Sequence, residues 1–258
     1  MVVKSIEMKN KSTLKLAIII LLIGIFHFNS LAQTPKDTLR VLFVGNSYTY
    51  FHNLAQMVSL ISDSTQTKII TRKSTIGGAN LSEHWLGERG LKTKEIIKNG
   101  EFDIVVLQNH SLETINQPER FIKYMNLFCD YIKENNARVF LYNTWAREKK
   151  PEMQLTIDKL YKQIAVNNNA TIVPIGRSWK IAKEIDPTLK LYESDGSHPS
   201  EIGTFFTACT FVYTLLNEFP ENLKNVYFTK DLHDESITVM RRSEETIQLA
   251  KKLVTKIQ

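Results

Sequence analysis

From residue 39 onward, short runs of apolar residues alternate with longer stretches in which apolar residues recur every three or four positions. The short runs predict strands at Leu39–Val44, Lys68–Arg72, Ile104–Leu107, Arg138–Tyr142 and Thr171–Ile175. The longer stretches predict helices at Leu54–Asp63, Lys92–Asn99, Glu119–Asn135, Glu152–Asn168, Ser178–Ile185 and Ser200–Asn217, and a last helix over Glu235–Lys256. This alternation predicts an α/β fold, a three-layer α/β/α sandwich around a mostly parallel five-stranded sheet. Val41-Leu42-Phe43-Val44 and Ile104-Val105-Val106-Leu107 are apolar throughout, as strands covered on both faces should be. No repeat or linker interrupts the chain after residue 33, so residues 33–258 read as one domain.

The first 32 residues follow a different pattern. Lys9–Lys15 is basic, Leu16–Phe28 is an apolar run broken only by Gly24 and His27, and Ser30-Leu31-Ala32 places small residues at a cleavage site. That order predicts a secretory signal peptide over residues 1–32, with Gln33 as the new N-terminus. The run is short of the ~20 residues a spanning helix needs, although an uncleaved anchor remains the alternative. With no cysteine near the site, a lipid anchor is not expected. The expected destination is the periplasm or the outside of the cell, with no stable membrane span after cleavage.

Composition removes several function classes. Of the 258 residues, 43% are hydrophobic and 23% charged, as in ordinary globular proteins. Two cysteines, Cys129 and Cys209, are too few for a disulfide scaffold or a cysteine-rich zinc module, and their pairing is left open. Half of the net charge of +6 belongs to residues 1–32; the remainder carries 29 basic and 26 acidic side chains, interspersed. A nucleic-acid partner, which calls for a basic face, is not expected. Neither a metal-ligand spacing nor a phosphate-cradling glycine loop occurs, so no metal and no cofactor are expected.

In a parallel sheet, ligands bind beyond the carboxyl ends of the strands, which directs attention to the loops after each strand. The first reads Gly45-Asn46-Ser47-Tyr48-Thr49, and Ser47 would present a hydroxyl at the sheet edge. Near the other end, Ser194-Asp195-Gly196-Ser197-His198-Pro199 precedes a long apolar helix, with Pro199 suited to its first position. Asp195 can accept from the His198 ring, leaving the second ring nitrogen to take a proton from a serine. Taken alone, each loop could be a turn or a cap. Together they supply a nucleophile, a base and a group to orient the base.

This combination resembles the SGNH/GDSL hydrolases. Gly45-Asn46-Ser47-Tyr48 is similar to their first block, Gly-Asp-Ser-Leu, and Asp195-Gly196-Ser197-His198-Pro199 to their last, Asp-x-x-His. The resemblance spans about residues 40–200 and implies a flavodoxin-like SGNH hydrolase fold with Ser47, Asp195 and His198 as catalytic residues. It also implies an oxyanion hole that includes the Ser47 amide and, from Ile76-Gly77-Gly78-Ala79-Asn80, the amide of Gly78 in preference to Gly77. The third block departs from the family. Where Gly-x-Asn-Asp is usual, the chain reads Leu107-Gln108-Asn109-His110. Gln108 or Asn109 would supply the side-chain donor, and Gln108, directly after the apolar run, is slightly favoured.

The resemblance, which extends to carbohydrate-esterase branches of the family, implies hydrolysis of small acyl esters, above all acetyl esters on carbohydrate. His84 and Trp145 are candidate substrate-binding residues, Trp145 as a platform for a sugar ring. The alternatives are a lipid or lysophospholipid esterase on the same fold, or a glycan-binding domain without catalysis. A glycosidase using Glu193 and Asp195 is disfavoured, because such near neighbours would point apart. The sequence leaves the oligomeric state open.

Overall fold

The computed structural model describes residues 37–257; the expected signal peptide lies outside the described residues. The elements in chain order are β1 (Thr38–Gly45), α1 (Ser47–Tyr50), α2 (Leu54–Ile61), β2 (Lys68–Thr75), α3 (Leu81–Leu86) and α4 (Thr93–Asn99). They continue with β3 (Ile104–Leu107), α5 (Glu113–Asn116), α6 (Pro118–Glu134), β4 (Arg138–Asn143), α7 (Met153–Asn168), β5 (Thr171–Pro174) and α8 (Ile175–Ile185). The last are α9 (Glu201–Leu216), β6 (Val226–Lys230), β7 (Ser236–Arg241) and α10 (Glu244–Ile257).

Strands β1–β5 form one parallel sheet in the order β2-β1-β3-β4-β5. Side-chain alternation divides its core in two. Val41, Phe43, Val106, Phe140 and Tyr142 face one layer, built with α2, α8, α9 and α10. Leu42, Val44, Val105, Leu107, Val139 and Leu141 face the other, built with α3, α4, α6 and α7. The expected three-layer sandwich is therefore the observed one. Cys129 and Cys209 are buried in different layers, both as free thiols. No helix among the described residues is long and apolar enough to cross a membrane.

The chain passes from β1 outward to β2 and then crosses back to β3 on the other side of β1. That reversal opens a crevice past the carboxyl ends of β1 and β3, the place where such sheets bind ligands. Ser47 follows β1, and Gln108 and Asn109 follow β3, so all three stand at this crevice.

The expected helix over Glu235–Lys256 is half wrong. Ser236–Arg241 is a strand, paired antiparallel with Val226–Lys230. Its β-branched residues Ile237, Thr238 and Val239 suit an extended chain. Asp231 closes the hairpin by accepting from the amides of His233 and Glu235 (2.8 and 2.9 Å). The helix starts only after Ser243, whose hydroxyl accepts from Thr246 N. Pro199, expected at the first position of the next long helix, lies just outside α9; Ser200 is the N-cap, and its Oγ accepts from Gly203 N at 3.0 Å.

Candidate active site

Ser47 is the first residue of α1, and Asn46 caps that helix by accepting from Tyr48 N at 3.1 Å. Ser47 is almost buried, and its Oγ lies 2.9 Å from His198 Nε2. The other ring nitrogen, Nδ1, lies 2.5 Å from Asp195 Oδ2. The second oxygen of Asp195 accepts from the backbone amides of Ser197 and His198, both at 2.9 Å. Burial alone would raise the Asp195 pKa. The ring of His198 and these two amides outweigh it and hold the carboxylate down at about 2. The acid is therefore ionised at any physiological pH, and it fixes Nδ1 as the protonated nitrogen and Nε2 as the acceptor facing Ser47.

Aromatic contacts hold the imidazole. Phe51 stacks on one face, with ring centroids 4.4 Å apart at 17°, and Tyr48 meets it edge-on at 5.5 Å. Behind it, Trp145 donates to the carbonyl of Ser197 at 2.9 Å, and Tyr48 Oη lies 2.5 Å from Ser197 Oγ. The Asp195–His198 loop is thus tied at Ser197 to the helix that carries Ser47. His52 Nε2 adds a second tie, 2.9 Å from Glu193 Oε1.

The loop after β2 makes a tight turn closed by Ala79 N to Ile76 O, with Gly78 at φ +71°. That left-handed conformation at the third turn position calls for glycine. Asn46 Nδ2 donates to Ala79 O at 2.9 Å, which locks the turn beside Ser47. An aspartate at position 46, as in the family block, could not make this bond.

The two amide candidates after β3 divide their tasks. Gln108 is fully buried; its Oε1 accepts from Asn46 N (2.8 Å) and Thr49 Oγ1 (3.0 Å), and its Nε2 donates to Asn109 O. Gly45 makes this possible, since a Cβ there would come within 2.3 Å of Gln108 Oε1. Asn109 Oδ1 accepts from Leu81 N at 3.0 Å and His110 N at 2.8 Å, while its buried Nδ2 has no partner among the described residues. The slight preference for Gln108 over Asn109 loses its support: Gln108 Oε1 holds the Ser47 turn and its Nε2 already donates to Asn109 O, whereas Asn109 Nδ2 has no partner among the described residues.

Both expected substrate contacts are also corrected. His84 is buried, with Nε2 on Gly45 O (2.9 Å) and Nδ1 on Thr93 Oγ1 (2.7 Å), so neither nitrogen is left for a ligand. Burial outweighs the Gly45 bond and lowers its pKa to about 4. Trp145 is sandwiched between Trp179 (3.8 Å, 3°) and Tyr48 (4.8 Å, 11°), which leaves no face for a sugar. Reading single residues missed Asn46, Tyr48 and Ser197 as the frame of the site. Their positions inside the two matched blocks were the available signal. No group of three or more potential metal ligands occurs among the described residues.

Neither a protein-family model nor a curated protein matches the sequence. Solved structures do share the fold. A DUF4886 family protein from Bacteroides uniformis superposes with a TM-score of 0.65 at 18% identity, over 85% of this chain and 94% of its own. A protein from Slackia heliotrinireducens assigned to the SGNH hydrolases gives 0.59 at 24% identity, over 69% of this chain and all of its own. An acetyl xylan esterase gives 0.54 at 16% identity, over 67% and 98%. The α/β sandwich described above is thus the fold of SGNH hydrolases.

Proposed function

We propose that this chain is a serine esterase in which Ser47 is the nucleophile, His198 its general base and Asp195 the residue that orients and supports the imidazole. The observation that carries this reading is the unbroken chain Asp195–His198–Ser47, at 2.5 and 2.9 Å, placed at the crevice of the sheet. Ser47 Oγ attacks the ester carbonyl as its proton passes to His198 Nε2, and the carbonyl oxygen becomes an oxyanion. Collapse of this intermediate breaks the ester bond, and His198 returns the proton to the departing alcohol. Water then attacks the acyl-serine with His198 again as base, releasing the acid and restoring Ser47.

The oxyanion needs donors, and the site offers three. The Ser47 amide belongs to the first turn of α1, where no intrahelical acceptor exists. The Gly78 amide lies in the turn locked by Asn46, and the third donor is Asn109 Nδ2. We assign the side-chain role to Asn109 and a supporting role to Gln108.

The substrate proposed is a small acyl ester, above all an acetyl ester on carbohydrate, met outside the cytoplasm after removal of the signal peptide. Support comes from the acetyl xylan esterase that shares the fold and from the leader-like residues 1–32. Trp145 no longer lends support. A fluorophosphonate probe should label wild-type protein at Ser47 and leave Ser47→Ala unlabelled. In a series of aryl esters, rates should fall from acetate to octanoate; the reverse order would favour the lipid esterase.

A further inference from the structure

Arg147 stands between the two loops that define the site. On one side, the amide of its neighbour Glu148 donates to Gly196 O at 2.9 Å, inside the Asp195–His198 loop. On the other, its Nη2 reaches Ser111 Oγ at 3.3 Å, two residues beyond Asn109. The backbone next to Arg147 is thus tied to the Asp195–His198 loop, and its guanidinium to the loop that carries Asn109.

Within the protein its charge is poorly matched. No carboxylate lies within ion-pair distance of Arg147 among the described residues. Its buried Nε has no hydrogen-bond partner, and the single Nη2 contact is long. Of the acids nearby, Glu148, next in sequence, has its exposed carboxylate beside Gly196, and the two acids that act with Arg147 on His110 are committed elsewhere. Glu113 forms a two-point pair with Arg120, and Glu83 accepts from Asn80 N and Arg89. His110, on the same loop as Ser111, accepts from Leu112 N through Nδ1, which leaves any ring proton on Nε2 as a further donor. Exposed Lys149 and Lys150 follow in sequence, and Lys150 N closes a turn on Arg147 O.

We infer that Arg147, with Ser111 beside it, forms a subsite for a carboxylate on the substrate, so that the ester hydrolysed belongs to an anionic molecule. A guanidinium is suited to this, because its planar fork can offer two parallel N–H donors to a carboxylate. The inference rests on the esterase reading above and narrows its substrate class to acidic esters, such as an acetylated sugar acid.

The test compares acids with matched amides. Meta-acetoxybenzoate against meta-acetoxybenzamide places the charge on the alcohol; para-nitrophenyl succinate against the succinamate places it on the acyl group. Wild type should favour at least one acid over its amide in kcat/KM by roughly 10- to 100-fold, the usual range for hydrogen bonds to a charged group. The pair that shows the preference identifies the side of the ester that carries the charge. Arg147→Gln should reduce the ratio to near one, and Arg147→Lys should keep only part of it. Equal rates on acid and amide in wild type, or a ratio unmoved in Arg147→Gln, would overturn the inference. If no ester is turned over, the esterase reading fails, and calorimetric titration with meta-hydroxybenzoate decides the subsite alone. Saturable binding weakened in Arg147→Gln supports it, and no binding to wild type refutes it.

Discussion

Replacing Gln108 and Asn109 in parallel separates a structural amide from a chemical one. In Gln108→Ala, Asn46 N and Thr49 Oγ1 lose their shared acceptor inside a fully buried site. Each stranded donor costs about 1–3 kcal/mol, so the pair costs about 2–6 kcal/mol. At ~2–4 °C per kcal/mol for a domain of this size, Tm should fall by about 4–24 °C. Asn109→Ala would also strand Leu81 N and His110 N, so the sharper variant is Asn109→Asp, which keeps an oxygen for both and removes only the N–H donors. Losing one oxyanion donor costs about 10²–10³ in kcat, and the carboxylate's charge beside the oxyanion adds to that loss. KM should change little, since the bond strengthens only as the oxyanion forms. Thermal melts and steady-state kinetics on para-nitrophenyl acetate give both readouts. A Gln108→Ala protein that melts like wild type yet loses 10²–10³ in kcat, beside an active Asn109→Asp, would reverse the assignment.

Three further outcomes are expected. The folded pKa of His84, about 4, lies below its unfolded value near 6.5, so the unfolded chain binds the extra proton between them. Stability is then full above about pH 6.5 and declines toward pH 4 by an amount on the order of 3 kcal/mol, and His84→Gln should flatten that decline in urea titrations. Trp145→Ala should cost about 3–5 kcal/mol and lower kcat by freeing the Ser197 loop; a raised KM for a glycan ester with unchanged Tm would restore the platform role. Cys129 and Cys209, whose thiols burial pushes upward (Cys129 to about 12), should react with Ellman's reagent only after unfolding. Prompt reaction of either in native protein would contradict their enclosure.

The sheet could be read from the sequence because its central strands have no polar face to confuse the pattern: Ile104–Leu107 has the same bounds in both readings. The β6–β7 hairpin could not. Its residues are largely exposed, and Ile237, Val239 and Met240 sit at spacings that a helix would also tolerate. At the site, residue types showed which groups could act as nucleophile and base, because that chemistry admits few alternatives. They could not rank Gln108 against Asn109, since both offer the same amide and only their partners differ. His84 and Trp145 failed for a related reason. Proximity in sequence to a strand end says that a side chain is near the crevice, not whether it faces into it or stands behind it.

Ser47 and His198 are separated by 151 positions, and four of the five strands of the main sheet, β2 to β5, lie between them. Ser47 emerges early from the ribosome, whereas His198 follows only after β5 has been made. Loop closure over such a distance is a late, high-contact-order event. On the proposed serine-esterase reading, a nascent, truncated or partly folded chain has a serine of ordinary reactivity, and chemical competence appears only with completed topology. During refolding, probe labelling of Ser47 should lag the recovery of helical circular dichroism, so that reactivity acts as a clock for the last step of assembly.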